Sequence, residues 1–243
     1  MAEQTIAEKC ALLKQDMDAL YQAGGGGNTQ EYYDEFWDSC QQNGNRKAYH
    51  YGFAGNAWND TTFKPKYDIK PSTALGSFMY SSITDLVACL QNTGVTIDTK
   101  DTTAAIQMFY GSSITTVPHI DLSKAADNLT QTFASGSIVT ILGITSVATT
   151  KWQSNTFSTN VESVTFYGTI ATNFYINRCT KLNRNSLLSI LQCLNSTVTG
   201  VTASLPSKCI DGATDTLSFI QSDTELYTAY TQALGNGYSI TFA

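Results

Sequence analysis

An α/β solenoid of irregular repeats with short parallel strands, about 24 residues to the turn, is the fold class this sequence predicts. Two observations carry it. Phe109, Phe133 and Phe157 recur at one constant interval, and aliphatic residues follow each at nearly constant offsets: Ile114 and Val117, Ile138 and Ile141, then Val161 and Val164 one position early. A unit of about 20–29 residues with strand-like apolar spacing is the signature of leucine-rich repeats, in which no unit buries its apolar face alone. An earlier copy, Phe78, Ile83 and Leu86, is followed by an inserted helix-like run, DLVACLQNTG.

Residues 1–22 open the chain as an amphipathic helix. Ile6, Cys10, Leu13, Met17 and Leu20 step by 4, 3, 4 and 3, the seam of a short coiled coil. Two readings stay open: a helix lying on its own domain, or an oligomerising stalk that docks on a partner. The run AGGGGN then breaks the helix and predicts a hinge. No strand precedes these glycines and no Lys-Ser/Thr follows, so they are not a phosphate loop.

Residues 23–70 hold this hinge, a second helix in TQEYYDEFWDSCQQNG, and an aromatic-rich stretch from Arg46 to Lys70. Tyr33, Phe36, Trp37 and Cys40 share one helical face, and the aromatic load predicts a seal for the open end of the repeats. The repeats span 71–210, and 211–243 is a helix–strand closing unit. Within the last stretches, NSLLSILQCLNS predicts a helix, TGVTASLP a strand, and DTELYTAYTQALGNGYSITFA a helix, a turn and a final strand.

Charged residues are only 14% of the chain, against about 25% in typical domains, and the net charge is −6. That balance excludes a phosphate-tracking surface, so no nucleic-acid partner is expected. No stretch approaches the roughly 20 apolar residues of a membrane span. The opening MAEQTIAEKC lacks a basic region followed by an apolar run, so no cleaved leader is expected. Six cysteines without a CxxC arrangement and two histidines give no zinc pattern, so neither metal nor cofactor is expected, and the thiols are read as free.

Candidate catalytic groups are few. His50 lies among aromatics, and His119 alternates with aliphatic residues as a strand residue facing solvent. Neither a GxSxG elbow nor an HExxH helix accompanies them. Asp98, Asp121 and Asp127 are the carboxylates that would serve a minor alternative, a polysaccharide-degrading enzyme. A non-enzymatic role is the expectation. The residues predicted to line a binding face are Tyr110, Thr115, Thr116, His119, Thr140, Trp152, Thr165 and Tyr167, because exposed strand hydroxyls and aromatic rings suit sugars or protein pockets.

The phrases MFYGSSITTVPHIDLS and TFASGSIVTILGI resemble the leucine-rich repeats of BspA-like bacterial surface proteins. ALYQAG, EYYDEFWDSCQQNGNRKAYHYGFAGNAWNDTTFKPKYDI, TKLNRNSLLSILQCL and LGNGYSITFA are similar to leucine-rich-repeat proteins encoded by phages and prophages of gut Firmicutes. The chain departs from that pattern after the repeat phenylalanine, where it carries Ala-Ser-Gly and Ser-Thr-Asn. The resemblance implies a virion or phage-tail protein, assembled in the bacterial cytoplasm, whose repeats recognise a host-surface protein or glycan. Its first helix would bind other tail proteins or make a homo-oligomer. A bacterial cell-surface adhesin of the same fold is the alternative.

Overall fold

The computed structural model describes residues 30–42, 52–125 and 129–243. Helix α1 (Gln30–Gln42) comes first, then α2 (Leu86–Thr93) and strands β1 (Thr116–Asp121), β2 (Thr140–Ser146), β3 (Ser163–Gly168) and β4 (Phe174–Tyr175). There follow α3 (Arg184–Cys193), β5 (Val201–Leu205), β6 (Lys208–Cys209), β7 (Thr214–Asp215), α4 (Thr216–Ser222), α5 (Thr224–Gly235) and β8 (Tyr238–Phe242). The strands form three separate sheets: parallel β1-β2-β3, parallel β4-β5-β8, and the antiparallel pair β6-β7.

This arrangement corrects the predicted solenoid. A leucine-rich-repeat solenoid runs one sheet through every turn, whereas here three short sheets stand apart and none curls or closes into a repeat array. The reason lies in how little of the chain keeps the period. Before Thr116 the described chain makes only isolated bridges, Asn59 to Ser82 and Ile69 to Ile97. After Gly168 it leaves the spacing for helices and a second sheet with its own register. The molecule is a mixed α/β domain, and the leucine-rich-repeat and solenoid descriptions do not apply to it.

What the recurring phenylalanine does produce is local: the step is 24 residues from Phe109 to Phe133 and to Phe157, but 31 from Phe78 to Phe109. The rings of Phe78, Phe109, Phe133 and Phe157 lie over one another, with centroids 5.4, 5.9 and 5.5 Å apart and interplanar angles of 11°, 14° and 11°. Every ring is buried, as are the Ile and Val residues that follow it. Buried hydroxyls tie the turns on either side: Thr102 donates to Pro71 O (2.7 Å), Thr132 to Ala105 O (2.8 Å) and Thr156 to Leu129 O (3.0 Å). Ala105 O and Leu129 O each also accept a long backbone bond, from Met108 N and Thr132 N at 3.4 Å, and the hydroxyls complete the bonding of these buried turns.

The aromatic segment covers the first ring of this stack. Phe53 stacks on Phe78 at 4.9 Å, and Trp37 of α1 stacks on Phe53 at 5.5 Å, with Trp58 and Phe63 edge-on around them. The inserted run forms α2. Asp85 caps it by accepting from Ala88 N (2.9 Å), and Gly94 ends it at φ +69°, which glycine adopts without the Cβ clash other residues incur. Leu86, Cys89 and Leu90 face the core.

The far edge of β3 is closed by side chains. Val164 N donates to Ser186 Oγ (2.8 Å) and Phe166 N to Ser189 Oγ (3.2 Å), both on α3. Asn183 caps α3, accepting from Ser186 N. Its neighbour Arg184 then holds α5, donating to both carboxylate oxygens of Asp223, the α5 cap, at 2.7 and 2.9 Å and to Glu225 at 2.8 Å. The coiled-coil seam at Ile6, Cys10, Leu13, Met17 and Leu20, together with the glycine hinge, His50 and Asp127, lies outside the described residues.

Candidate binding face on the first sheet

The strands β1–β3 differ by one position in the spacing of their core contacts. Val117 and Ile120 are both buried, as are Ile141 and Ile144, three apart in each strand; in β3 the buried pair is Val164 and Phe166, two apart. Two residues of each earlier strand, Pro118-His119 and Leu142-Gly143, therefore occupy the space that Thr165 fills alone. The register shifts at that point, with Ile141 opposite Val164 and Ile144 opposite Phe166. This is a bulge, and it re-aims the side chains beside it.

The bulge brings His119 and Tyr167 together from the two outer strands. Their rings are stacked, with centroids 5.3 Å apart and planes within 6°. Gly143 of β2 lies directly beneath. A Cβ there would stand 2.8 Å from His119 Nδ1 and 3.0 Å from Tyr167 Cε2, so only glycine lets the rings close over the middle strand. Thr145 fixes the imidazole, its Oγ1 lying 2.8 Å from Nε2. Leu142, the residue before Gly143, is 48% exposed, and Tyr167 is 47% exposed. The face is thus a mostly uncharged patch of rings, one leucine and hydroxyls, with the half-buried Asp121 on the outer strand β1.

Of the residues predicted for this face, His119 and Tyr167 meet on it. Thr116 and Thr140 pair in register and are half-buried, and Thr165 is half-buried beside the bulge. Thr115 is exposed but its hydroxyl is used internally, donating to Thr84 O at 3.1 Å. Tyr110 packs edge-on against Tyr80, 5.6 Å away. Trp152 does not face a ligand. It is 3% exposed and packs among Phe157, Phe166 and Phe174 at 5.9, 5.6 and 5.1 Å. Leu142, Gly143 and Thr145 are the members that sequence reasoning missed. The signal for them is the longer apolar step in TVPHI and TILGI against the shorter one in SVTF.

Nucleophile chemistry finds no support in the described thiols. Burial pushes Cys89 and Cys193 up to about 11 and Cys179 up to about 12, so these thiols are protonated at neutral pH. Cys179 donates to Ser158 O at 3.0 Å. Asp98 accepts from Lys100 N (3.2 Å) and Asp121 from Ser123 N (2.8 Å), each holding its own turn. Among the described residues no group of three or more His, Cys, Asp or Glu could hold a metal, and no helix is long and apolar enough to cross a membrane.

Fold and face together define a mixed α/β domain with an exposed ring pair on a parallel sheet. No family model, curated protein or solved structure matches the chain. The expected role of presenting a curved leucine-rich-repeat surface, whether on a phage tail or as a cell-surface adhesin, falls with the solenoid, because the domain has no such surface.

Proposed function

We propose that this domain is a non-catalytic binding module whose contact surface is the outer face of β1–β3, and that its ligand is neutral and rich in hydroxyls, of the saccharide class. One observation carries the reading: the His119–Tyr167 stack, exposed yet held in place by Gly143 and Thr145. Large exposed rings cost little entropy when already fixed, and binding hot spots are enriched in such side chains. An aromatic ring accepts the apolar C–H face of a sugar, while the neighbouring threonines offer donors and acceptors to its hydroxyls. The scarcity of charge on the patch disfavours a strongly ionic ligand.

The test is a neutral-glycan array, followed by titration of any hit against wild type and Tyr167→Ala. At least a tenfold loss of affinity is expected, about 1.4 kcal/mol, with unchanged circular dichroism. Gly143→Ala should give a similar loss by parting the rings. Binding that survives both substitutions, or no retention on any glycan, overturns the reading.

A further inference from the structure

The edges of the two parallel sheets are treated differently. On the first sheet, Ser186 and Ser189 occupy the outer edge of β3, and Thr99 Oγ1 accepts from Asp121 N on the outer edge of β1. On the second, β8 pairs among the described residues with β5 alone. Its inward groups are identified by Ala243 N, which donates to Leu205 O (3.0 Å), and Ala243 O, which accepts from Ser207 N (3.1 Å). Alternate residues of a strand turn their backbone groups to opposite edges. Ser239 and Thr241 therefore face β5 with Ala243, while the N–H and C=O of Tyr238, Ile240 and Phe242 point outward. Among the described residues none bonds to that outward row.

Such an edge is normally blunted by lysine, proline, a bulge or a covering element. This one carries none of the first three. The whole run from Leu226 to Ala243 holds no Asp, Glu, Lys, Arg or His. Helix α5 runs into the strand with an apolar stripe beside it. Tyr227 and Leu234 are exposed on it, and the Tyr230 ring lies 6.3 Å from that of Phe242.

The strand's own sequence names the occupant. Tyr-Ser-Ile-Thr-Phe is symmetric in chemistry about Ile240: aromatic, hydroxyl, aliphatic, hydroxyl, aromatic. We propose that β8 pairs antiparallel with β8 of a second copy about a two-fold axis at Ile240. Tyr238 then faces Phe242 of the other copy, Ser239 faces Thr241, and Ile240 faces itself. Ser239 opposite Thr241 is a favourable hydroxyl pair, and Ile240 and Phe242 are half-buried and apolar, while the Tyr238 ring stays in its own core with its hydroxyl on Ile170 O. The parity also agrees, because the outward residues 238, 240 and 242 of one copy meet 242, 240 and 238 of the other. The two three-stranded sheets become one, and the α5 stripes flank the junction on the same face. Such an interface is isologous, as closed dimers require.

Sedimentation velocity of the full chain over a concentration series tests this. Wild type is expected to reach twice the chain mass. Ile240→Pro removes the on-axis N–H but leaves the bonds to β5, which Ser239, Thr241 and Ala243 make, and it should halve the mass. Because proline could also disturb folding, Ser239→Lys/Thr241→Lys serves as a second variant. It changes only exposed side chains, sets like charges opposite one another in the dimer, and should halve the mass as well. A wild type that stays monomeric throughout overturns the proposal. So does association that both variants leave intact, or a monomer that instead captures an added extended peptide on β8.

Discussion

The two three-stranded sheets share direction but not the means that hold them. The first rests on a repeated aromatic step. Four phenylalanine rings stack beneath or beside its strands, and serine and threonine hydroxyls stop its edges. The second has no repeat. It pairs β5 with β8 across two intervening helices and a hairpin, and its helices are pinned by the Arg184–Asp223 clasp. A sheet backed by like side chains stacked face to face packs by near-translation, so deleting one member opens a void that no neighbour is shaped to fill. A sheet held by helix docking distributes the same load over many dissimilar contacts.

The largest expected effect sharpens this contrast. Phe133 is fully buried between two stacked rings, so Phe133→Ala should cost about 3–5 kcal/mol, the range for losing a core phenylalanine. Phe242→Ala, at a half-buried position on β8, should cost about 1–2 kcal/mol. Urea denaturation of the two variants reads the difference directly. Equal losses would mean that the aromatic stack is not the main prop of the first sheet.

The same contrast explains what could be read in the sequence. The constant interval is visible in Phe109, Phe133 and Phe157, and it correctly places their rings in contact. It does not specify architecture, because stacking of a few turns needs only local agreement, whereas a solenoid needs one sheet to continue through all of them. Helix α3 and the final helix and strand were legible from apolar spacing and from GNG. The pairing of β5 with β8 was not, since two helices and a hairpin separate Leu205 from Tyr238 and nothing in either strand labels the other. On the candidate face, His119 and Tyr167 were legible as outward strand residues. Trp152 was not, because its burial depends on the gap between Phe157, Phe166 and Phe174, which only the assembled core defines.

A middle-sized effect concerns the edges. Removing both hydroxyls with Ser186→Ala/Ser189→Ala leaves the buried N–H groups of Val164 and Phe166 without partners, and each such loss costs about 1–3 kcal/mol. Amide exchange at Val164 and Phe166 should accelerate, while the amides of Thr202 to Leu205 in the second sheet stay protected. If both sheets loosened together, the two would be one cooperative unit and the division between them would be wrong.

The smallest effect tests how the second sheet's helices are held. Asp223 sits at about 2 rather than 3.8, first because Arg184 donates to its carboxylate and then because Leu226 N does. A carboxylate whose pKa is lower in the folded state contributes its stability above the unfolded value and loses it as pH falls through the folded one. The contribution is therefore present at neutral pH and should fade between about pH 4 and pH 2. Asp223→Asn keeps an oxygen for the helix cap but removes the charge that Arg184 pairs with. Thermal melts of wild type and this variant should differ modestly at neutral pH and converge as the solution is acidified through that window. A gap that stays constant across it would show that the clasp acts through hydrogen-bond geometry rather than through charge, and that the second sheet's helices owe nothing to the titration of Asp223.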